Sequence, residues 1–288
     1  MNWLLLTLFA IVARASYSIA TKIFSNTIKV SPSTQAVVLT FCIGTVSLVI
    51  SPFIGGISLR GLDHFLLPIL LMVFSQAFGN ILFFKSIKNL DAGTGQIAFS
   101  SILIWGAILS VLFLGSVFSY IQLLGIILLM TAIIVVQYRK RKLALNTSFI
   151  YMIIAAGLFA IFQVSSAGLS KSFSAGTYLI LTSFGPCLII GLMYFHDVIK
   201  DFKFLRNNSR GVLSNSMFVS VTSILYFIFS YLAYRQAPDR GVVVALLTTQ
   251  VILSVLFGIV FLKERENTKL KLFAGVLALL ASVLIKSS

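Results

Sequence analysis

A single arginine, Arg14, interrupts the first apolar run of the chain, residues 4–24, close to its middle. Tyr17 and Ser18 follow it at i+3 and i+4, the spacings that place side chains on one face of a helix. A guanidinium is always charged, and its planar fork of N–H donors matches a carboxylate or a phosphate. This cluster is therefore suited to holding an anionic group, and it contains nothing that would serve covalent catalysis.

Amide and hydroxyl side chains recur inside the later apolar runs, often three or four residues apart. Polar groups are costly in the core of a bilayer and normally face the interior of a helix bundle. The candidate cavity residues outside the first run are Gln76, Asn80, Gln96, Ser100, Gln163, Ser166, Tyr226 and Thr248. Each also has an alternative, structural use, because such a group can bond a neighbouring helix or a carbonyl one turn earlier in its own helix.

The acidic residues are placed so that none can pair with Arg14 from within an apolar run. All seven lie in loops or at the ends of runs: Asp63, Asp91, Asp197, Asp201, Asp239, Glu264 and Glu266. A carrier of lipophilic cations would need a buried carboxylate, so the sequence favours an anionic ligand and facilitated or exchange transport. The alternative for Arg14 is snorkelling to an interface or bonding to backbone carbonyls.

The composition identifies the elements that must position these residues. Hydrophobic residues make up 59% of the 288 residues and charged residues only 10%, against about a quarter charged in soluble domains. Apolar runs of about 20 residues, the length that crosses a bilayer, recur throughout. The net charge of +15 comes from Lys and Arg between the runs, as in loops facing an anionic leaflet and not as in a nucleic-acid-binding protein.

Cysteine and histidine are too sparse for a metal or cofactor site. Cys42 and Cys187 each lie inside an apolar run and are predicted to be free thiols. The two histidines lie at the edges of runs. We expect no catalytic residue, metal or cofactor. The amino terminus resembles a mature first helix more than a signal peptide, because it lacks a basic start and a cleavage site.

Ten apolar runs are predicted to span the membrane. They cover about 3–23, 34–54, 64–84, 93–114, 120–138, 149–170, 176–195, 212–234, 240–262 and 270–286. Residues 91–116 align with 239–264 at a constant offset, which pairs Asp91 with Asp239 and Gly93 with Gly241. The alternative is a chance alignment of two Leu- and Ile-rich segments.

The repeat predicts an all-α integral membrane protein with ten transmembrane helices in two inverted five-helix repeats, residues 1–142 and 143–288. Five spans per half is an odd number, so the second half must enter the membrane in the opposite direction. Inverted repeats are typical of secondary transporters, which bind substrate near the midplane between the halves.

Several short motifs resemble a known family. Lys22 and Lys171 lie near the ends of the first and sixth spans, "FLKE" (261–264) ends the ninth, and Gly125 and Gly275 open the fifth and tenth. With these motifs the chain resembles the EamA-type members of the drug/metabolite transporter superfamily. The first-half exit "FLGS" (113–116) lacks the glutamate, and prolines common in the family are absent from the fourth and ninth spans. The resemblance implies a central cavity lined by spans 1, 3, 4, 6, 8 and 9.

The sequence thus predicts a secondary transporter of a small polar metabolite, amino-acid-like or an organic anion, that works by alternating access in a bacterial cytoplasmic membrane. Its expected partners are the small-molecule substrate and the lipid bilayer. The charge bias predicts both termini outside, whereas the resemblance implies both inside. Two alternatives are a non-transporting scaffold or receptor and a lipid enzyme, for which His64 beside Asp63 and His196 beside Asp197 are the only catalytic candidates.

Overall fold

The computed structural model of the protein describes most of the first three quarters of the chain. It covers residues 2–58, 62–87, 89–90, 98–99, 101–137, 147–247, 249–250, 253–254, 256–257, 273, 276–277, 280–281 and 283–285. Within these residues the regular structure is entirely helical. The α-helices are α1 (Trp3–Thr27), α2 (Pro32–Ile50), α3 (Leu66–Ile87), α4 (Ile102–Leu114), α5 (Tyr120–Gln137), α6 (Thr147–Leu169), α7 (Ala175–Met193), α8 (Phe195–Asn207), α9 (Ser209–Gln236) and α10 (Arg240–Leu247). Short 3₁₀ turns, Ser51–Ile54 and Leu62–Phe65, end α2 and precede α3.

Six helices of the described residues are long and apolar enough to cross a membrane: Trp3–Thr27, Pro32–Ile54, Leu62–Ile87, Thr147–Leu169, Ala175–Met193 and Ser209–Gln236. The second and third of these ranges include the 3₁₀ turns that adjoin α2 and α3. Two shorter apolar helices, Ile102–Leu114 and Tyr120–Ala132, follow the third of these along the chain. These eight coincide with spans one to eight of the sequence prediction. The predicted ninth and tenth spans lie largely outside the described residues.

The connection between the predicted seventh span, 176–195, and the predicted eighth span, 212–234, contains a helix. Residues 196–211 have low average hydropathy, yet Phe195–Asn207 forms α8. The segment carries apolar residues at helical spacing, Phe195, Ile199 and Phe202, and has no Gly or Pro to interrupt it. Because apolar and charged residues alternate along α8, the mean hydropathy of the segment is low. A search for apolar runs therefore does not detect this helix.

The helices pack as pairs that join the two halves of the chain. α1 lies along α9, and α3 lies along α6. α2 packs against α7, with Gly44 directly over the ring of Phe184 and the thiol of Cys187 near the carbonyl of Val37. These contacts, together with Ser58 against Thr177, show that α2 and α7 run antiparallel. Both cysteines are free.

Helices α2 and α7 begin with the same capping arrangement. The Ser31 hydroxyl accepts a hydrogen bond from the Thr34 N–H, and the Ser174 hydroxyl accepts one from the Thr177 N–H. Serine is a favoured N-cap because its oxygen satisfies an N–H group of the first turn that has no partner within the helix. Sequences of the form Ser-x-x-Thr therefore fix where both helices start.

Each of these helix starts is held by the segment that follows the partner helix. At the first junction, between α2 and α8, the Ser31 N–H donates to Asp201 (2.8 Å) and the Ser33 hydroxyl donates to Asp197 (2.9 Å). At the second junction, between α7 and residues 51–58, the Ser174 hydroxyl donates to the Gly56 carbonyl (2.7 Å). Because α2 and α7 are antiparallel, the two junctions lie at opposite ends of the pair.

Candidate functional site

Arg14 is buried in the middle of α1, with 8% of its surface exposed. Three aromatic rings surround its guanidinium: Tyr226 of α9 with its centroid 4.8 Å from Cζ, Tyr17 of α1 at 4.9 Å, and Phe159 of α6 at 5.7 Å. Cation–π contacts of this kind offset part of the cost of burying a charge. Arg14 therefore neither reaches an interface nor faces lipid, and it lies where α1, α6 and α9 meet.

The charge on Arg14 has no anionic partner in the part of the chain that the structure describes. No salt bridge to a described carboxylate involves it, and its Nε, buried from solvent, has no hydrogen-bond acceptor there. A buried donor left without an acceptor is unfavourable. Aromatic rings compensate part of the charge, but they do not supply the in-plane oxygen acceptors that the guanidinium fork matches. The described surroundings of Arg14 thus lack an anion.

A network of tyrosines extends from Arg14 across α6, α7 and α9. The Gln163 amide donates to the Tyr226 hydroxyl (3.3 Å), and the Tyr178 hydroxyl donates to Ser166 (3.2 Å). The ring of Tyr178 stacks on that of Tyr231, with centroids 4.2 Å apart. The Tyr231 hydroxyl donates in turn to the Phe173 carbonyl (2.9 Å). The network that begins at Arg14 therefore contains both tyrosine hydroxyl groups and flat aromatic ring faces.

Two tyrosines of this region were missed in the sequence. Tyr178 and Tyr234 are each 1% exposed and lie close enough to Arg14 to interact with it electrostatically. The Tyr234 hydroxyl has no hydrogen-bond partner among the described residues. Tyr226, Ser230 and Tyr234 follow one another at intervals of four, so helical spacing could have identified the second of these tyrosines. Tyr178 stands near the start of α7, and its sequence position carries no comparable signal.

Three of the amide residues predicted for the cavity, Gln76, Asn80 and Gln163, are buried. Gln76 and Asn80 of α3 are 5% and 6% exposed. The side-chain oxygens of Gln76 and Gln163 accept no hydrogen bond within the described residues. Two buried acceptors can thus receive donors from a ligand, and Gln163 is directly linked to Tyr226 at the guanidinium.

The predicted serines are used in the alternative, structural way. The Ser18 hydroxyl donates to the Arg14 carbonyl (3.2 Å) and the Ser166 hydroxyl to the Phe162 carbonyl (2.7 Å), each one turn earlier in its own helix. Ser166 also accepts from Tyr178, so it remains part of the network. The remaining candidates, Gln96, Ser100 and Thr248, lie outside the described residues.

The two His–Asp dipeptides show no catalytic arrangement in the described part of the chain. His64 and Asp63 are both more than three-quarters exposed at a 3₁₀ turn, 3.7 Å apart. Asp197 accepts a hydrogen bond from Ser33 and is thereby committed to the start of α2. Within the described residues no three His, Cys, Asp or Glu side chains are grouped to hold a metal ion.

Comparison with known proteins agrees with this architecture. Residues 1–138 match the EamA-like transporter family. The match covers slightly less than half of the 288 residues. The match confirms the resemblance to the drug/metabolite transporter superfamily, and EamA-like proteins are membrane transporters. Together with the apolar helices, it makes the chain a multi-pass integral membrane protein.

A likeness to a solved structure covers both halves of the chain. A crystal structure of another protein superposes with a TM-score of 0.70 over 98% of this chain and 95% of that one. The two sequences are 15% identical, so the likeness concerns the fold alone. No curated protein matches the sequence.

Proposed function

We propose that the protein is a secondary transporter of a small metabolite that carries a carboxylate or phosphate, and that Arg14 binds this anionic group. The observation that carries the proposal is the buried guanidinium whose charge meets rings but no described carboxylate. A ligand oxygen in the plane of the guanidinium would receive charge-assisted hydrogen bonds, which are the strongest kind. The match to the EamA-like transporter family supports the transport role, and the guanidinium, unpaired within the described residues, supports a negatively charged group on the substrate.

An amino-acid-like substrate fits the other available groups. Its carboxylate would pair with Arg14, and its ammonium would donate to the amide oxygens of Gln163 and Gln76, which accept no hydrogen bond from a described residue. The tyrosine faces would contact the aliphatic or aromatic part. Tyr17, Asn80 and Tyr226 complete the proposed cavity lining. An organic anion without an ammonium would leave the amide oxygens unfilled, so it is the weaker candidate.

Alternating access follows from an inverted repeat of residues 1–142 and 143–288. In this repeat α1, α2 and α3 correspond to α6, α7 and α9. Helix packing supports the repeat, because the contact between α1 and α9 has its counterpart in the contact between α6 and α3. Helices α2 and α7 correspond to each other, so the junction at the start of α2 is the counterpart of the junction at the start of α7. Transporters of this construction rock one half against the other around a site near the midplane. Arg14 lies near the middle of α1, where such a site would be. We assign the protein to a bacterial cytoplasmic membrane as part of the same proposal.

The test is substrate binding by purified protein reconstituted in liposomes. A panel of radiolabelled amino acids, organic acids and phosphate esters would identify a saturable ligand. Arg14→Ala should then weaken its affinity by roughly 30-fold to several thousand-fold, the range that corresponds to about 2–5 kcal/mol for removing one partner of a buried charge pair. Arg14→Lys should recover only part of the loss, because a point charge cannot reproduce the bidentate fork.

The matched control is Arg235→Ala, which removes the same side chain from an exposed position at the end of α9. It should bind the ligand as the wild type does. Normal binding by Arg14→Ala, with normal expression and folding, would show that the guanidinium has a structural role only. A panel in which only cations or neutral compounds bind would contradict the proposed substrate class.

A further inference from the structure

Helix α8 has three distinct faces, and only one of them is used by the rest of the described protein. The inner face carries Asp197 and Asp201, which hold the start of α2, and Phe204 and Leu205, which pack against the core. A helix fixed by hydrogen bonds and apolar contacts on one side presents its other sides in a constant orientation. The role of those outward faces is not explained by the transport site.

The second face of α8 is apolar and outward. Phe195, Ile199 and Phe202 are 63%, 56% and 61% exposed and follow one another at i, i+4 and i+7. Near the end of α7, Leu188 and Leu192 are also exposed, so exposed apolar side chains continue from α7 into α8. Since α7 is long and apolar enough to span a membrane, this continuity places the apolar face of α8 at the edge of the hydrocarbon region.

The third face of α8 is basic. Lys200 and Lys203 are exposed and lie beside the apolar row, and Arg206 is exposed one turn beyond Phe202 at the end of that row. They form no salt bridge with a carboxylate among the described residues. A helix with an apolar face and an adjoining row of cations has the chemistry of segments that lie in the headgroup region of a bilayer. Cations at that level attract anionic lipids, which neutral headgroups do not replace.

We propose that α8 is an anionic-lipid-binding helix, with Phe195, Ile199 and Phe202 inserted at the hydrocarbon boundary and Lys200, Lys203 and Arg206 bound to acidic headgroups. The partner is the membrane surface itself, and the two carboxylates of α8 are turned away from it toward α2. The site is separate from Arg14 and does not depend on which solute is transported.

The test uses tryptophan as a reporter of neighbouring lipids. In a background of Trp3→Phe and Trp105→Phe, Phe195→Trp places the single indole on the apolar face of α8. The protein is reconstituted in phosphatidylcholine vesicles that contain the same mole fraction of either brominated phosphatidylglycerol or brominated phosphatidylcholine, since bromine quenches an adjacent indole. The ratio of the two quenching efficiencies measures headgroup preference independently of depth.

The control reporter is Phe41→Trp in the same background. Phe41 is 55% exposed and lies in the middle of α2. We expect at least twofold stronger quenching by the acidic lipid at position 195 and equal quenching by both lipids at position 41. Each basic side chain near an anionic surface strengthens binding roughly fivefold, so neutralising Lys200, Lys203 and Arg206 with glutamine should abolish the preference. High salt should reduce it.

Three outcomes would overturn the proposal. The first is equal quenching by the two lipids at position 195. The second is a preference that survives the triple glutamine substitution. The third is an indole that neither lipid quenches, which would place the apolar face against another protein copy or in water.

Discussion

The two junctions at the ends of the α2–α7 pair have the same layout but different chemistry. At one end, the start of α2 is held by the carboxylates Asp197 and Asp201 of α8. At the other, the start of α7 is held by the backbone of residues 56–58 through Ser174 and Thr177. The first junction combines negative charge with the positive end of a helix dipole. The second uses neutral groups and close packing.

This difference indicates how each end of the proposed transporter is held. A charged junction in partial contact with water responds to acidity and salt, and its strength is modest. A neutral, partly buried junction responds to steric fit and to loss of a hydrogen-bond partner. If the halves move relative to one another, substitutions at the two ends should therefore differ in size and in their dependence on conditions.

The largest effect is expected at the neutral junction from Gly176→Ala. A Cβ at position 176 would overlap the Gly56 carbonyl oxygen and lie 3.0 Å from that of Ser51. These are backbone atoms, so the chain must move apart, at a cost of about 1–3 kcal/mol. The thermal unfolding midpoint in detergent should fall by several degrees.

The control is the same substitution elsewhere in α7. A Cβ added at Gly191 would meet no atom within 4 Å, so Gly191→Ala should keep or raise the midpoint, since alanine favours a helix over glycine. Equal midpoints for the two variants would show that the second junction is not closely packed.

A smaller effect is expected from Thr177→Val at the same junction. The Thr177 hydroxyl accepts from the Ser58 N–H (2.9 Å) and donates to the Ser58 carbonyl (3.2 Å). Valine keeps the shape and leaves both backbone groups without this partner, which costs about 1–2 kcal/mol for a partly buried site. Thr182→Val is the control, because the Thr182 hydroxyl bonds carbonyls of its own helix. Its midpoint should stay within about 1 °C of wild type, corresponding to a few tenths of a kcal/mol.

Much of this arrangement can be predicted from sequence, and the limits have physical causes. Apolar length alone located the six helices that are long enough to cross a bilayer and the two shorter apolar helices, because a spanning helix needs about 20 apolar residues. The buried position of Arg14 followed from its place within a run. The rings around Arg14 could not be predicted, since Tyr226 and Phe159 reach it only through the packing of α9 and α6 on α1. Helix α8 was not predicted, because its charged residues lower the mean hydropathy of the segment that carries the apolar row.

The smallest effect, and the one that distinguishes the two ends most directly, is expected from Asp201→Asn at the charged junction. Partial burial alone would raise the pKa of the Asp201 carboxyl, but hydrogen bonds from Ser31 and Thr34 and the neighbouring Lys200 more than reverse this, so its pKa lies below the ordinary value of 3.8. A carboxyl with a lowered folded-state pKa stabilises the fold above the unfolded pKa, and this contribution is lost as the pH falls through the folded value. At pH 7 the variant should lose less than about 1 kcal/mol, as expected for a partly exposed charge at the start of α2. Thermal midpoints of wild type and Asp201→Asn should therefore differ by about one to three degrees at pH 7 and converge below pH 3.8, while the deficit of Gly176→Ala persists at both pH values. The control is Asp63→Asn, at an exposed turn outside both junctions, which should match wild type at every pH. The contrasting outcome is a difference between wild type and Asp201→Asn that stays constant down to low pH. It would show that the α2–α8 junction depends on shape and not on charge, and the contrast between the two ends would be lost.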